Sequence, residues 1–183
     1  MAEGAPIALG PIALGTGALG PGAPEGRGLI RGYASRFGET DRKGDIVQRG
    51  AFAKGLAEMK RAGRRVAMLW QHDQQRPIGV WDIVEEDAVG LRVEGRVLTE
   101  LALGREALAL MRAGALDGLS IGYRVRRAAP EPRTGGRRLL EIELWEVSLV
   151  TFPMLPTARA SVATGAKPPK AALAGALASA LAR

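Results

Sequence analysis

Between residues 27 and 162 the apolar residues of this chain change period repeatedly, and only two stretches carry helical spacing. Leu29 to Phe37 reads as a strand, and Glu39 to Asp45 has the composition of a turn. Phe52, Leu56 and Met59 recur at i, i+4, i+7, which predicts a helix over 51–61 closed near Gly63. Val66 to Gln71 is a short apolar strand. Ile78 to Glu85 and Gly90 to Leu98 read as two strands joined in a hairpin through Glu86-Asp87-Ala88-Val89. Leu101, Leu108 and Met111 mark a second helix over 100–113, stopped by Gly114. Leu119 to Arg127 and Leu139 to Phe152 close the pattern, separated by a Pro/Gly/Arg loop at Pro130 to Arg138. Six or seven strands with two inserted helices, and no strand–helix–strand alternation, predict a mostly antiparallel sheet or small barrel.

The ends are of a different character. Residues 1–26 are mostly Gly, Ala, Pro and Leu and hold Pro-Ile-Ala-Leu-Gly twice, so they read as a flexible arm. Residues 163–183 form a tail broken at Lys167-Pro168-Pro169-Lys170, whose Ala/Leu-rich end makes at best a marginal helix. The N-terminus holds no basic segment ahead of its apolar residues, and no stretch has the length and apolarity of a membrane span. Neither a secretory leader nor a membrane partner is expected. The formal charge of +7 raises nucleic acid as a partner, but the basic residues are spread along the chain and mixed with acids. Clusters such as Arg124-Val125-Arg126-Arg127 read as solvated faces, and a nucleic-acid surface is disfavoured.

The chemistry available is narrow. With no cysteine there is no disulfide, no thiolate metal site and no cysteine nucleophile. With a single histidine, His72, a zinc site would need several carboxylates, so neither metal nor cofactor is expected. A serine hydroxyl needs a base to take its proton, and any such base of the imidazole type must be His72. It lies in Leu69-Trp70-Gln71-His72-Asp73, where an apolar strand emerges at a surface or cleft. Ser120 is the candidate nucleophile, flanked by Gly118 and Gly122, which let a backbone turn sharply or approach a substrate; the alternative is an ordinary packed or capping serine near the start of a strand. Gly-Leu-Ser-Ile-Gly is not a hydrolase nucleophile elbow, because here a helix precedes the serine and a strand follows it.

A third group must accept from the other imidazole nitrogen, and Asp73, Asp117, Glu141, Glu143 and Glu146 are the candidates. Strand alternation puts Glu146 and Ser148 on the face of Ile142, Leu144 and Val150, where a carboxylate needs a specific partner. That partner is either His72 or an arginine in a buried ion pair. Asp73 is adjacent to His72, and adjacent strand residues point apart. For the oxyanion, backbone N–H groups and Arg124 or Arg126 are the available donors.

Four segments together resemble the HK97-type phage prohead (capsid maturation) proteases. They are Tyr33-Ala34-Ser35 with Asp41 to Phe52; Leu69-Trp70-Gln71-His72-Asp73 with Pro77-Ile78-Gly79; Leu119-Ser120-Ile121-Gly122-Tyr123; and Leu144 to Pro153. The resemblance covers residues 29–162. It implies a serine endopeptidase related in fold to the herpesvirus assemblins, a small antiparallel β-barrel surrounded by helices. It implies His72 as base, Ser120 as nucleophile and Glu146 as the third member. Assemblin-type enzymes use a second histidine there, which this chain lacks.

The implied substrates are the scaffold segment of the major capsid protein, or a separate scaffold protein, and the chain's own ends. The implied setting is an assembling procapsid in the cytoplasm of a bacterial host, and a homo-oligomer is compatible with it. The competing reading is a non-catalytic scaffold or capsid-binding β-barrel in which His72 and Ser120 are merely packed.

Overall fold

The computed structural model describes residues 28–163, so the expected arm at 1–26 and nearly all of the expected tail lie outside the described residues. The elements run β1 (Leu29–Arg36), β2 (Ile46–Val47), α1 (Ala53–Arg61), β3 (Ala67–Trp70), β4 (Asp73–Glu86) and β5 (Gly90–Val97). There follow α2 (Ala102–Arg112), β6 (Gly118–Glu131), β7 (Gly136–Val150) and β8 (Arg159–Val162). Seven strands close into a barrel in the order β7-β3-β4-β5-β1-β8-β6, with β6 returning to β7; β2 adds to β7 outside that ring. Most pairings are antiparallel, but β2 and β3 both run parallel to β7.

The barrel forms because its strands alternate apolar and polar side chains, so that one face fills the interior. Ile30, Met68, Ile78, Val93, Leu119 and Leu149 are among the fully or almost fully buried side chains there. On the outer wall of β4 and β5, Arg92 bridges Glu85 and Glu94, and Arg96 bridges Asp82. Arg124 and Arg126 are likewise paired, with Glu143 and with Glu58 and Glu143 respectively.

A barrel surrounded by helices is not what the structure has. Among the described residues there are two α-helices: α1 lies against β7 and β4, and α2 against β5, β8 and β4. Each buries a narrow stripe that includes a glycine, Gly55 in α1 and Gly104 in α2. A Cβ at Gly55 would sit 2.8 Å from Ile142 O, and one at Gly104 2.0 Å from Leu98 O, so both helices touch strand backbone directly. The remaining wall is closed by strand pairing and ion pairs, and no further helix is needed to cover it.

Three strand boundaries differ from the sequence expectation. β4 begins at Asp73, five residues before Ile78, and β6 and β7 continue almost through the expected loop, leaving a turn at 132–135 with Gly135 at φ 73°. Pro130 fits within β6 because a proline is tolerated on a strand with an unpaired edge. β2 and β8 were not foreseen, and at two and four residues they are too short to show a period.

Candidate active site

β3 and β4 join through a two-residue turn, Trp70 pairing with Asp73 across Gln71 and His72. Both turn residues have positive φ, 53° and 62°, as the tight hairpin turn of this twist requires. Asn-Gly is the usual occupant, so a Gln-His pair here is strained and must be held by its surroundings. Gln71 N–H donates to Leu149 O at 3.0 Å, and the Gln71 side chain donates to Thr151 Oγ1 at 2.8 Å. His72 N–H donates to Ser148 Oγ at 3.1 Å. The end of β7 thus holds the turn and aims the imidazole.

The imidazole meets Glu146: Nδ1 and Oε1 are 2.5 Å apart. The second carboxylate oxygen, Oε2, accepts from Ser148 Oγ at 2.6 Å. The other acids weighed for this position are engaged elsewhere. Asp73 accepts from Gln75 N–H, Asp117 pairs with Arg159, Glu141 with Lys54, and Glu143 with Arg124 and Arg126.

Glu146 does not reach this place by simple alternation. Gly122 pairs with Glu146 and Tyr123 with Leu144, so Trp145 is an extra residue on β7, a β-bulge. Ile142 and Leu144 face the core before it, and Val147 and Leu149 face the core after it. The bulge therefore reverses the faces. Glu146 and Ser148 lie on the side opposite Ile142 and Leu144, which corrects the expectation that all four share one apolar face. Both remain buried, Glu146 at 8% exposure and Ser148 at 0%, beneath the His72 turn.

Ser120 lies across from this pair. It is in register with Ser148, and Gly122 is in register with Glu146, so the four positions form one patch of the outer barrel wall. Ser120 is nearly buried and lines the same pocket as His72; no hydrogen bond joins the two side chains among the described residues. The neighbouring glycines serve the site differently from the sequence reading. A Cβ at Gly122 would lie 2.2 Å from Glu146 Oε1, and one at Gly118 2.4 Å from Val150 O. Gly122 is the space into which the carboxylate folds. Gly122→Ala is expected to push Glu146 off His72, cutting reactivity of the site by about a hundredfold, the cost of roughly 1 Å misplacement. The check is the rate at which a fluorophosphonate labels the variant, alongside its melting curve.

The pocket is walled by Ser35 and Arg36 from the end of β1, Asp41 and Asp45 from the next loop, Ser120 to Tyr123 of β6, and Met154 and Leu155. Arg124 and Arg126 do not line it; Arg124 is paired with Glu143, and Arg126 with Glu58 and Glu143. The cations that do are Arg36, Lys43 and Arg137. Arg137 grips Asp45 through Nε and Nη2 at 3.1 and 2.6 Å, and those hydrogen bonds hold the Asp45 carboxyl below its usual range. Burial first, then the charges of Asp45 and Asp41, push the Tyr123 phenol up to about 12, so it faces the pocket as a neutral hydroxyl. Arg36 lies over the Tyr33 ring, and its buried Nε has no partner. Gly122 and Tyr123 fall in the serine block of the resemblance and Ser148 in its closing block, but none of them, nor Arg36, carries a sequence signal for the part it plays in this pocket.

On its edge away from β7, β6 meets β8 only at Gly118. Leu119 N–H donates across that edge to Ala158 O at 2.9 Å, and the chain before β8 then turns away at Leu155 to Ala158. Beyond this point no strand among the described residues pairs with that edge. By alternation from Leu119, the backbone groups of Ile121, Tyr123 and Val125 face it, and all three residues line the pocket. Among the described residues there is no group of His, Asp and Glu suited to a metal ion, and no helix is long and apolar enough to cross a membrane.

The family model described as caudovirus prohead serine protease matches residues 21–170 of the chain. The chain is 36% identical over 129 residues to the prohead protease of Enterobacteria phage HK97, covering 69% of this chain and 56% of that protein. It is 30% identical over 129 residues to the prohead protease of Escherichia phage T5, covering 70% and 60%. A capsid polyprotein of Pseudomonas phage PAJU2 is 30% identical over 94 residues, or 48% of this chain and 14% of that protein. The chain thus spans less than two thirds of the length of these relatives. The fold resembles the solved capsid assembly protease of bacteriophage T4, with a TM-score of 0.52 at 13% identity over 67% of this chain and 82% of that one.

Proposed function

The chain belongs to the caudovirus prohead serine proteases, and we propose that it is a serine endopeptidase of procapsid maturation. In this reading it cuts the scaffold segment of a capsid protein, or a separate scaffold protein, and trims its own ends. The observation that carries the reading is the 2.5 Å contact between His72 Nδ1 and Glu146 Oε1, beside a pocket that Ser120 also lines.

Glu146 accepts a hydrogen bond from the Nδ1–H, which stays on the imidazole and leaves Nε2 unprotonated as the base. The Ser120 Oγ proton moves to Nε2 as Oγ bonds to the scissile carbonyl carbon, and the resulting imidazolium is stabilised by the carboxylate. The carbon–nitrogen bond then breaks, with His72 returning the proton to the leaving amine. Water, deprotonated by the same imidazole, releases the acyl group and restores Ser120. Serine–imidazole hydrogen bonds are often long in free enzymes and tighten when substrate is bound, and in this reading Ser120 and His72 meet in that way across the pocket they share. Ile121 N–H, next to Ser120 and turned to the open edge, is the donor we assign to the oxyanion.

The same edge suits the substrate. An extended peptide laid along Ile121 to Val125 would complete backbone hydrogen bonds that β8 stops making after Gly118. Such binding is weak in sequence preference, and confinement within an assembling shell in the bacterial host raises the local concentration of substrate enough to compensate. The test is co-expression with a capsid protein that carries a scaffold segment and comes from the same source as this chain, read by intact mass. The expected result is a truncated capsid protein; full-length capsid protein with assembled shells present would overturn the assignment.

A further inference from the structure

We infer that Ser148 is a positioning residue that holds the base and the acid of this site in register through one hydroxyl. The inference rests on the protease reading of the site. Ser148 Oγ does two things at once: it accepts the His72 N–H at 3.1 Å and donates to Glu146 Oε2 at 2.6 Å. Glu146 in turn meets His72 Nδ1 through Oε1. Backbone amide, hydroxyl, carboxylate and imidazole therefore close a ring in which each member limits the movement of the next.

The position is suited to that role. Ser148 is fully buried, so water does not replace its hydroxyl without local rearrangement. The turn it braces has two non-glycine residues at positive φ, a conformation that persists only when the surroundings fix it. The bulge at Trp145 brings Ser148 to this face, opposite Ser120. Ser148 lies behind the imidazole and the carboxylate, and its one described proton acceptor is Glu146. It orients the groups that react and takes no part as nucleophile.

Without the hydroxyl, Glu146 Oε2 loses its donor, the carboxylate is free to rotate, and the His72 amide loses its acceptor. The imidazole should then no longer be confined to the tautomer with its proton on Nδ1. Because His72 is the only histidine, a single set of imidazole nitrogen resonances reports this directly. In the unaltered protein, neutral His72 is expected to be protonated at Nδ1. In Ser148→Ala the nitrogen shifts should move toward a mixture of tautomers, and fluorophosphonate labelling of Ser120 should slow by about tenfold to a hundredfold.

Ser148→Cys, nearly the same shape with a weak S–H donor, is expected to show the same two changes and serves if the alanine protein does not fold. A residue that merely fills space would leave the tautomer and the labelling rate unchanged in both variants, and that result overturns the inference. So does Nε2 protonation in the unaltered protein. If that protein is never labelled, the protease reading fails by itself, while the nitrogen shifts still decide whether Ser148 holds His72 and Glu146.

Discussion

Ser120→Ala co-expressed with the capsid protein should yield no processed product, and His72→Ala should do the same. In the proposed mechanism Ser120 supplies the oxygen that bonds to the substrate carbon, and Ser148 does not replace it, being committed to Glu146 and the His72 amide. His72 is the only imidazole in the chain, so its loss leaves no base of suitable strength near neutral pH. Loss of either group should cost about three or more powers of ten, leaving only what binding and the oxyanion donors supply. Ser120→Ala should keep its melting temperature. His72→Ala keeps the amide that binds Ser148 but leaves the buried Glu146 Oε1 without its partner, so some loss of melting temperature is expected and a melting curve accompanies the activity measurement. Intact mass of the capsid protein reads both variants. Cleavage at the normal site by the Ser120→Ala protein would remove the serine from the mechanism.

Glu146→Gln should reduce activity by about a hundredfold, less than the loss of Ser120 or His72. The amide keeps the shape of the carboxylate but offers one oxygen where the site uses two acceptors. With that oxygen on His72 Nδ1, its NH₂ faces Ser148, whose hydroxyl has a lone pair left to accept it. The tautomer survives, but a neutral amide does not stabilise the imidazolium that forms as Ser120 attacks. With the amide reversed, the NH₂ meets Nδ1 and the tautomer is wrong for a base. The sum of the two is slow turnover in a folded protein. Cleavage rate against a peptide spanning the capsid cut site, measured beside a melting curve, checks it; an unchanged rate would move the third role to another acid.

Much of the fold could be read from hydrophobic period, and the site could be read from scarcity. β1, β5 and both helices are marked by repeats long enough to distinguish period 2 from 3.6, and each lies within a few residues of its expected span. β2 and β8, two and four residues long, are too short to establish a period, and they pair on β7 and β1. The expected ring of helices came from a resemblance, and strand closure with surface ion pairs takes its place. His72 was identifiable because it has no rival in the chain. Strict alternation along β7 fails at Glu146. An inserted residue at Trp145 leaves no trace in composition, yet it turns Glu146 away from the face of Ile142 and Leu144 and toward His72. The positive φ at Gln71 and His72 was equally hidden, because neither residue type announces such a turn.

The account depends on an imidazole, polarised by one carboxylate, drawing the proton from Ser120. Treatment of the purified protein with a fluorophosphonate, followed by intact mass and peptide mapping, tests that most directly. The prediction is a single adduct on Ser120 that is absent from Ser120→Ala and does not form in His72→Ala. An unmodified Ser120, or one that reacts as fast without His72 as with it, would contradict the account.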